Sequence, residues 1–529
     1  MKKVLVMTLV ALFIVTISCT IFAEKPEQGG TFVFGSTGDA EVINPVISNT
    51  STATDYESMV YESLIKINRS NMKPMAGPLT VSYKSSKDNL TWTFKLKKGI
   101  NFSDGHELTT DDVKFTFDIM ADPDTNTSLA SQVEPIDKIE IIDDYTIAFK
   151  LKYPYPNFLT STMTTGIIPA HIFRGTDINT NPANHQPVGT GPFILKEWNH
   201  NDHATFVARE DYHRGRVYLD KVIYKIVANQ NALLAACESG DIDGAGIPKS
   251  EVERLQKVAP EKGLKVLSRW YFGYSYIGFN LQKDMFKDLR VRKALAISIY
   301  KPAIAEVAFF GQGKPATSTV PPGVKWAYNS NIPKYEYDIE QAKKLLTEAG
   351  WVDRDGDGIR EKDGKELSFT IITNKGAVAR EKVALLAQKF WKQIGVNCEV
   401  SFLNWSTFLT GKVLKKDFDA MVLGWSGRGP NPDDYPLFHS SQIDEGYNFV
   451  SYSNETVDKL LFEARTIMDL ERRKEIYHKV QRIIHDDYPY VFLVYPKANA
   501  VFDEKVRGLN SNPLDRNFVA DWKDIWIAN

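Results

Sequence analysis

The sequence predicts an α/β protein with at least two lobes. Strand-like runs alternate with amphipathic helical runs along the chain, which favours mixed α/β layers over a helical bundle or a β-sandwich. The 529 residues exceed the roughly 250–300 that one hydrophobic core usually spans. Hydrophobic residues make up 43% and charged residues 25%, with a formal net charge of -2. This is an ordinary globular composition, and it lacks the basic excess expected of a nucleic-acid binder.

The first 23 residues are predicted to be a signal peptide. Lys2 and Lys3 precede an apolar run of 14 residues, which is shorter than the roughly 20 that cross a membrane. Two processing sites compete. Residues 15–19 resemble a lipobox that ends at Cys19, whereas residues 21–23 permit ordinary cleavage before Glu24. We favour lipidation of Cys19, which would hold an extracytoplasmic protein at a membrane surface.

Strand predictions rest on alternating or continuous apolar runs that are bounded by turn residues. They cover residues 31–34, 146–151, 193–198, 221–226, 274–280, 367–373, 419–424 and 490–495. Helix predictions rest on apolar residues three and four apart, as in residues 340–349, which end before Gly350. The same spacing predicts helices at 379–394 and 457–485.

Residues 92–120 predict a strand, a turn and the start of a helix. Alternation of apolar and polar residues predicts a half-buried strand whose inner face is formed by Trp92, Phe94 and Leu96. Asp104 and Gly105 then supply a turn. Thr109, with Asp112 three residues on, predicts an acidic variant of the capping box at the helix start.

Five further motifs accompany this unit along the chain. They are residues 44–45 with 61–64 (NP and YESL), 185–193 (HQPVGTGPF), 286–295 (FKDLRVRKAL), 342–351 (AKKLLTEAGW) and 418–425 (FDAMVLGW). In this order the motifs resemble the extracytoplasmic solute-binding proteins of family 5, which serve peptide-type ABC importers. The likeness covers almost the full mature length of the chain.

The resemblance implies a bilobal, periplasmic-binding-protein-like clamp of type II with an additional subdomain. By analogy, lobe one comprises residues 24–66, 187–276 and 490–529, the accessory subdomain 67–186, and lobe two 277–489. The chain is expected to cross between the lobes near residues 276–280 and 489–495. A solute held between the lobes would then be enclosed by a hinge motion.

The loop at residues 424–433 is predicted to line the ligand cleft. A strand ends there in a Gly-rich loop, whose backbone N–H groups can approach a ligand beside an indole face. The predicted contacts are Trp425, Ser426, Gly427 and Arg428. The resemblance implies an Asp at position 428 that pairs with the α-ammonium of a peptide, but Arg428 can instead grip a carboxylate or stack on a planar group. Asp433 or Asp434 would then receive the ammonium; the alternative is that Arg428 points to solvent or pairs with Asp433.

Four further aromatic residues are predicted to contact the ligand. Trp405 and Tyr495 match family positions at a side-chain pocket and near a lobe crossing. Tyr274 and Tyr276 share one face of a strand beside the other crossing. Core packing is the alternative for each of these side chains.

Signals for metal binding and catalysis are weak. Asp353, Asp355 and Asp357 resemble the start of a calcium loop, but Gly364 replaces the bidentate Glu at the twelfth position. A polar turn is the favoured interpretation, with weak calcium binding as the alternative. The sequence carries no HExxH, GxSxG or phosphate-loop motif, so we predict no cofactor and no catalytic residue. We expect Cys237 and Cys398 to be separate buried thiols, although a single disulfide is open.

The favoured hypothesis is a monomeric receptor that captures short peptides outside the cytoplasmic membrane and delivers them to ABC permease subunits with separate ATPases. Broad sequence tolerance would follow from main-chain recognition and wet side-chain pockets. The alternative is an oligosaccharide receptor on the same scaffold, with Trp405 and Trp425 stacked on sugar faces. An exported hydrolase is a third hypothesis, for which the sequence supplies no pair of catalytic acids.

Overall fold

The computed structural model describes residues 25–48, 50–227, 229–426, 429, 431–444 and 446–528. The predicted signal peptide with Cys19, and the predicted contacts Gly427 and Arg428, lie outside the described residues. Strands and helices alternate along the described chain, as the α/β prediction requires.

The strands are β1 (Thr31–Ser36), β2 (Ile65–Ile67), β3 (Pro74–Ala76), β4 (Thr80–Ser85), β5 (Thr91–Leu96), β6 (Ile136–Asp143), β7 (Thr146–Leu151), β8 (Phe193–Asn199), β9 (His203–Ala208), β10 (Lys221–Ile226), β11 (Gly244–Gly246), β12 (Leu264–Trp270), β13 (Tyr274–Phe279), β14 (Gly313–Pro315), β15 (Glu361–Lys362), β16 (Lys365–Glu366), β17 (Ser368–Asn374), β18 (Asn397–Leu403), β19 (Ala420–Trp425), β20 (Tyr490–Asp503), β21 (Val506–Arg507) and β22 (Trp526–Ile527).

The helices are α1 (Ser51–Val60), α2 (Thr110–Ala121), α3 (Ala130–Val133), α4 (Ala170–Phe173), α5 (Gln230–Ser239), α6 (Val252–Val258), α7 (Asp284–Lys287), α8 (Leu289–Ile297), α9 (Lys301–Ala303), α10 (Ile339–Glu348), α11 (Val378–Lys392), α12 (Tyr435–Phe438), α13 (Glu455–Thr466) and α14 (Leu470–Asp487). Short 3₁₀ and π turns connect several of these helices.

One hydrogen-bonded sheet runs through both halves of the described chain. Its main path has the order β18-β17-β19-β13-β20-β11-β1-β10-β9-β8, and β12 and β14 also pair with β20. In the first half, β1 is parallel to β10 and β11, whereas β8, β9 and β10 form antiparallel pairs. In the second half, β17 is parallel to β18 and β19. The part of the sheet with β1 and β8–β11 belongs to the first lobe, and the part with β13 and β17–β19 belongs to the second lobe.

Strand β20 joins the lobes. Its first residues pair with β13 and its last residues, from Lys497 onward, pair with β12. The chain therefore passes between the lobes at residues 495–496 and, on the neighbouring path, at residues 271–273, where Tyr271 N donates to Pro496 O at 3.1 Å. β13 pairs with second-lobe β19, so Tyr274 and Tyr276 lie among second-lobe strands, although the predicted first lobe extends to residue 276.

The accessory segment forms a four-stranded antiparallel sheet of order β4-β5-β7-β6, packed against α2. Its core is continuous with the core of the first lobe: buried Phe94 and Phe117 belong to the same hydrophobic cluster as Phe32 and Phe502. The second lobe is built around two further clusters, one around Trp391 and one around Tyr477. The accessory segment is thus attached firmly to the first lobe.

The prediction for residues 92–120 is confirmed in detail. Trp92, Phe94 and Leu96 are buried on β5, and α2 begins with a capping box in which Thr109 N donates to Asp112 Oδ2 at 2.9 Å. A single helix over residues 457–485 is wrong, because the segment divides into α13 and α14. Asp469 starts the second helix: its side chain accepts a hydrogen bond from Arg472 N at 2.7 Å and caps α14.

Both described cysteines are free and buried, as predicted for Cys237 and Cys398. Burial raises the pKa of each thiol to about 12, so both stay protonated at neutral pH. Among the described residues, no helix combines the length and the apolar composition needed to cross a bilayer.

Candidate functional site

A cleft of ≈ 880 Å³ lies between the lobes. Helix α1 and the C-terminal residues between 514 and 522 line it from the first lobe, and residues between 155 and 165 line it from the accessory segment. The second lobe contributes Trp425, Asp433 and Arg465. The volume falls within the range of roughly 300–1,000 Å³ that is typical of ligand sites. Because all three parts of the chain line it, a bound solute would contact both lobes.

Trp425 forms the aromatic part of the second-lobe wall. It ends β19, is half-buried, and stacks on Phe449 with ring centroids 5.5 Å apart and an interplanar angle of 24°. Tyr447 meets the indole edge-to-face at 5.8 Å. The backbone beside it is tightly packed, since a Cβ on Gly273 would lie 1.9 Å from the carbonyl oxygen of Trp425. The predicted indole wall of the cleft is therefore present and rigidly supported.

Asp433 and Arg465 form an ion pair in the same wall. Arg465 Nε, on α13, donates to Asp433 Oδ2 at 2.9 Å. The guanidinium also lies over the rings of Tyr435 at 4.5 Å and Tyr155 at 5.6 Å. Burial by itself would lower the pKa of Arg465, but Asp433 and Tyr155 outweigh it and raise that pKa. The guanidinium is therefore charged and held among three partners.

Three contacts tie the second lobe to the accessory segment at one end of the cleft. Asn431 Nδ2 donates to Thr160 Oγ1 at 2.5 Å. Arg465 lies over Tyr155, as described, and Arg473 Nη2 donates to buried Asn157 at 3.4 Å. These contacts connect the second lobe directly to the accessory segment along the lining of the cleft.

The first-lobe wall carries several ion pairs. Asp521 accepts from Lys66 Nζ at 2.9 Å and from Arg214 Nη2 at 2.8 Å. Burial alone would raise the pKa of Asp521, but the two cations outweigh it and hold this pKa well below its usual value. Arg69 Nε pairs with buried Asp515 at 2.5 Å. The sequence offered no local signal for these pairs, because their members are more than 300 residues apart.

The three predicted tyrosines lie in the second-lobe core. Tyr274, Tyr276 and Tyr495 are at most 1% exposed. Tyr276 stacks on Tyr490 with centroids 3.8 Å apart, and Tyr495 Oη donates to Ser318 O at 2.9 Å. Strand β13 is buried on both faces, which the alternation of its side chains does not reveal. In this structure the three side chains are packed in the core, which was the alternative given for them in the sequence analysis.

Trp405 and Ser426 also lie off the cleft wall. Trp405 is 51% exposed and contacts Phe408 and Arg380. Ser426 is exposed beside Trp425 but does not line the cavity. Among the predicted ligand contacts that the structure describes, Trp425 and Asp433 line the cleft and the others do not.

The acidic segment at residues 353–358 forms a turn. Asp353 accepts from Gly356 N at 2.8 Å and from Gly358 N at 3.1 Å, and Asp357 accepts from Ile359 N at 2.7 Å. Carboxylate oxygens of Asp353 and Asp355 lie within 4.8 Å of Glu361, a residue that the sequence interpretation missed, rather than of Asp357. The polar turn favoured from the sequence is present. Weak calcium binding stays a prediction.

Comparison with known proteins identifies the family. Residues 75–445 match the family described as bacterial extracellular solute-binding proteins, family 5. The chain belongs to this family. The predicted resemblance is confirmed, and the family members are binding proteins for solutes outside the cell.

Relatives of this family 5 protein span nearly its whole length. The oligopeptide-binding protein AppA of Bacillus subtilis strain 168 is 37% identical over 515 residues, which cover 96% of this chain and 93% of AppA. The structure of AppA with a nonapeptide superposes with a TM-score of 0.84 at 36% identity, covering 96% of this chain and 100% of that one. DppA of Helicobacter pylori in complex with the peptide STSA gives a TM-score of 0.82 at 26% identity, with coverages of 95% and 99%.

A further protein of similar structure was solved with a different ligand. NikZ of Campylobacter jejuni in complex with Ni(L-His) gives a TM-score of 0.82 at 27% identity, covering 94% of this chain and 99% of NikZ. These superpositions confirm the predicted fold class, a bilobal α/β clamp of the type II periplasmic-binding-protein kind. The site, rather than the fold, has to decide the ligand of this family 5 protein.

Proposed function

We propose that this family 5 protein captures short peptides in the cleft between its lobes and presents them to the permease of an ABC importer. The observation that carries the proposal is the cleft itself, ≈ 880 Å³ in volume and lined by both lobes and the accessory segment. It belongs to a chain that matches a peptide receptor, AppA, at 37% identity over 515 residues.

The chemistry of the cleft walls supports a peptide ligand. A peptide presents backbone amides, side chains of mixed polarity and two charged ends. The second-lobe wall offers the Trp425 ring beside the Asp433–Arg465 pair, and the first-lobe wall offers Lys66, Arg214 and Asp521. Apolar stacking and charge-assisted hydrogen bonds are both available along one channel.

The proposed division keeps the accessory segment of the sequence-based division at 67–186 but extends the second lobe from 277–489 to 274–495, because β13 and the first residues of β20 pair with each other and β13 pairs with β19. Closure of the cleft would be a hinge motion at the crossings 271–273 and 495–496, where the chain passes between lobes. A ligand that contacts both walls would stabilise the closed arrangement because its affinity for that arrangement is higher.

Binding without turnover is part of the proposal. Hydrolysis would need an acid and a base that are poised beside the bound solute. Of the six described carboxylates that line the cleft, three form ion pairs with Lys or Arg, namely Asp433 with Arg465, Asp515 with Arg69, and Asp521 with Lys66 and Arg214, and Glu62 is held by His213. Incubation of bound peptides with the protein, followed by mass spectrometry, should return them uncleaved.

The remaining parts of the proposal concern location. An exported monomer with a lipid anchor at Cys19 would stay beside its permease, and the energy for transport would come from separate ATPases. Metabolic labelling with palmitate in an expressing bacterium tests the anchor, with Cys19→Ala as the control variant. Labelling that survives Cys19→Ala would reject it.

Calorimetry decides the ligand class. The protein is freed of copurified ligand by unfolding and refolding, and is then titrated with a pool of short peptides and with a panel of cello- and manno-oligosaccharides. We expect micromolar or tighter binding of peptides and no response to sugars. Sugar binding without a peptide response would reject peptide capture and restore the oligosaccharide alternative.

A further inference from the structure

A second, smaller cavity lies beside the first-lobe wall of the cleft. It has a volume of ≈ 420 Å³ and shares Lys66, Arg69, Arg214 and Asp521 with the cleft, so the two spaces adjoin each other at these side chains. Lys97, which follows β5, lines the smaller cavity only. We call this space the cationic cavity, after Lys66, Arg69, Lys97 and Arg214.

The charges around the cationic cavity do not balance. Four cations line it, and Asp521 is the one carboxylate among its described lining residues. Asp515 pairs with Arg69 from the side of the cleft. Glu62, whose charge also acts on Lys97, is held by Tyr212 Oη and His213 Nε2 at 2.6 Å each. Counting all three acids against the four cations still leaves a positive excess.

Lys97 is the source of this positive excess in the lining of the cavity. Its Nζ donates to Pro78 O at 2.7 Å, and no described carboxylate lies within 4.0 Å of it. Burial and the neighbouring charge of Arg214 lower the pKa of Lys97, and the charge of Glu62 opposes them in part. A carboxylate added between Lys97 and Arg214 would relieve the repulsion between these two cations.

Hydrogen-bond donors are also left over. An ammonium has three donors and a guanidinium has five. Within the described chain, Lys66 Nζ makes one hydrogen bond, to Asp521, and Lys97 Nζ makes one, to Pro78. Arg214 uses its guanidinium for Asp521 and Tyr212. These groups converge on the cavity from β2, from the segment after β5 and from the loop before β10, and each has donors for a further anion.

We propose that the cationic cavity is a subsite of the cleft that binds a carboxylate of the captured peptide. This inference rests on the proposed peptide function and specifies the ligand more closely. The carboxylate comes from the C-terminus or from an Asp or Glu side chain. Trp425 lies in the second-lobe wall and the cavity adjoins the first-lobe wall, so an extended peptide that spans the cleft would run from Trp425 toward the cavity.

The test compares three chemical forms of one pool of short peptides: free acids without acidic side chains, the same peptides as C-terminal amides, and amides that carry one Glu. Calorimetry measures the affinity of the wild-type protein for each. We expect at least one carboxylate-bearing form to bind about tenfold more tightly than the plain amides, as one charge-assisted hydrogen bond implies. A preference for free acids identifies the C-terminus, and a preference for Glu-bearing amides identifies a side chain.

Substitutions test whether the preference for carboxylate-bearing peptides arises from the cationic cavity. Lys97→Met keeps the apolar stem and removes the ammonium, so the preference should fall to near unity. Lys98→Met is the matched control, because Lys98 is the exposed neighbour whose ammonium lies 4.9 Å from the Tyr145 ring centroid, away from the cavity. It should retain the full preference. Lys66→Met serves as a second probe if Lys97→Met fails to fold, since Arg214 still pairs with Asp521.

The possible outcomes distinguish a failure of the subsite from a failure of the proposed function. Equal binding of all three forms by the wild-type protein would overturn the subsite and leave peptide capture standing. A preference that survives both Lys97→Met and Lys66→Met would also overturn it, because the carboxylate would then bind elsewhere. Failure of every peptide form to bind would reject the proposed function and the subsite together.

Discussion

Arg465 Nε donates to Asp433 Oδ2 at 2.9 Å, and both side chains line the cleft although they are only 11% and 17% exposed. The other oxygen of Asp433 accepts from Tyr435 N at 3.2 Å. Asp433, which the sequence analysis proposed as a partner for the α-ammonium of a peptide, therefore already pairs with the guanidinium of Arg465. An incoming ammonium would have to compete with Arg465 for it.

The first prediction concerns the energy of this pair. Asp433→Asn leaves the buried guanidinium without its counter-ion and should lower the free energy of unfolding by about 1–3 kcal/mol. Arg465→Met should cost a similar amount. The double variant should lose less than the sum, because the pair can be lost only once. Urea unfolding followed by circular dichroism measures all three.

The control for that cycle is an exposed pair on the neighbouring helices. Arg472 pairs with Glu463 at 2.8 Å, with side chains 44% and 34% exposed. Arg472→Met should change the free energy of unfolding by less than about 1 kcal/mol. Strict additivity of the Asp433 and Arg465 substitutions would show that the two residues do not stabilise each other.

The second prediction separates two tryptophans. Trp425 faces the cleft and stacks on Phe449, whereas Trp405 is 51% exposed and lies off the cleft wall. Trp425→Ala should weaken peptide binding about tenfold, as loss of an aromatic contact implies. It should also cost about 1–2 kcal/mol of stability, because its ring is half-buried.

Trp405→Ala is the matched substitution. It should leave affinity unchanged and stability within about 0.5 kcal/mol of the wild-type protein. Calorimetry and thermal unfolding measure both variants. Loss of binding in Trp405→Ala but not in Trp425→Ala would move the ligand out of this cleft and restore the sequence-based placement of Trp405.

Local structure could be predicted from the sequence where one face of an element is buried. Alternation at Trp92, Phe94 and Leu96 identified β5, and Thr109 with Asp112 identified the start of α2, because those signals lie within a few residues. The break between α13 and α14 was missed because apolar spacing continues through it. The capping residue Asp469 was the available signal.

The site was only partly predictable, for a physical reason. Trp425 could be identified because a Gly-rich loop follows its strand. Tyr274 and Tyr276 could not be assigned to core or cleft, since β13 is buried on both faces. The Lys66–Asp521 and Arg69–Asp515 pairs join residues that are far apart in the sequence, and composition carries no information on such pairings.

The third prediction concerns closure. If the peptide bridges both walls, saturating peptide should reduce the radius of gyration measured by small-angle X-ray scattering, because the bound form favours the closed clamp. A cello-oligosaccharide that shows no heat of binding supplies the control and should leave the radius unchanged. An unchanged radius with saturating, calorimetrically verified peptide would reject hinge closure.

The fourth prediction concerns acid stability. Lys66 and Arg214 hold the pKa of Asp521 well below its usual value, in spite of burial. A carboxyl whose folded pKa is depressed stabilises the fold above its unfolded pKa, near about 4, and loses that contribution as the pH falls toward its folded pKa. Asp521→Asn should therefore lower the free energy of unfolding at neutral pH by about 1–3 kcal/mol.

The same substitution should change the slope of stability against pH. Below about pH 4 the wild-type protein takes up a proton at Asp521 on unfolding, so its advantage over Asp521→Asn should shrink as the solution becomes more acid. Asp524→Asn removes an exposed carboxylate from the same turn and should leave both the level and the slope close to those of the wild-type protein. Urea unfolding across an acid series measures all three. A constant difference between the wild-type protein and Asp521→Asn at every pH would show that Lys66 and Arg214 stabilise the fold through contacts other than this carboxylate's charge.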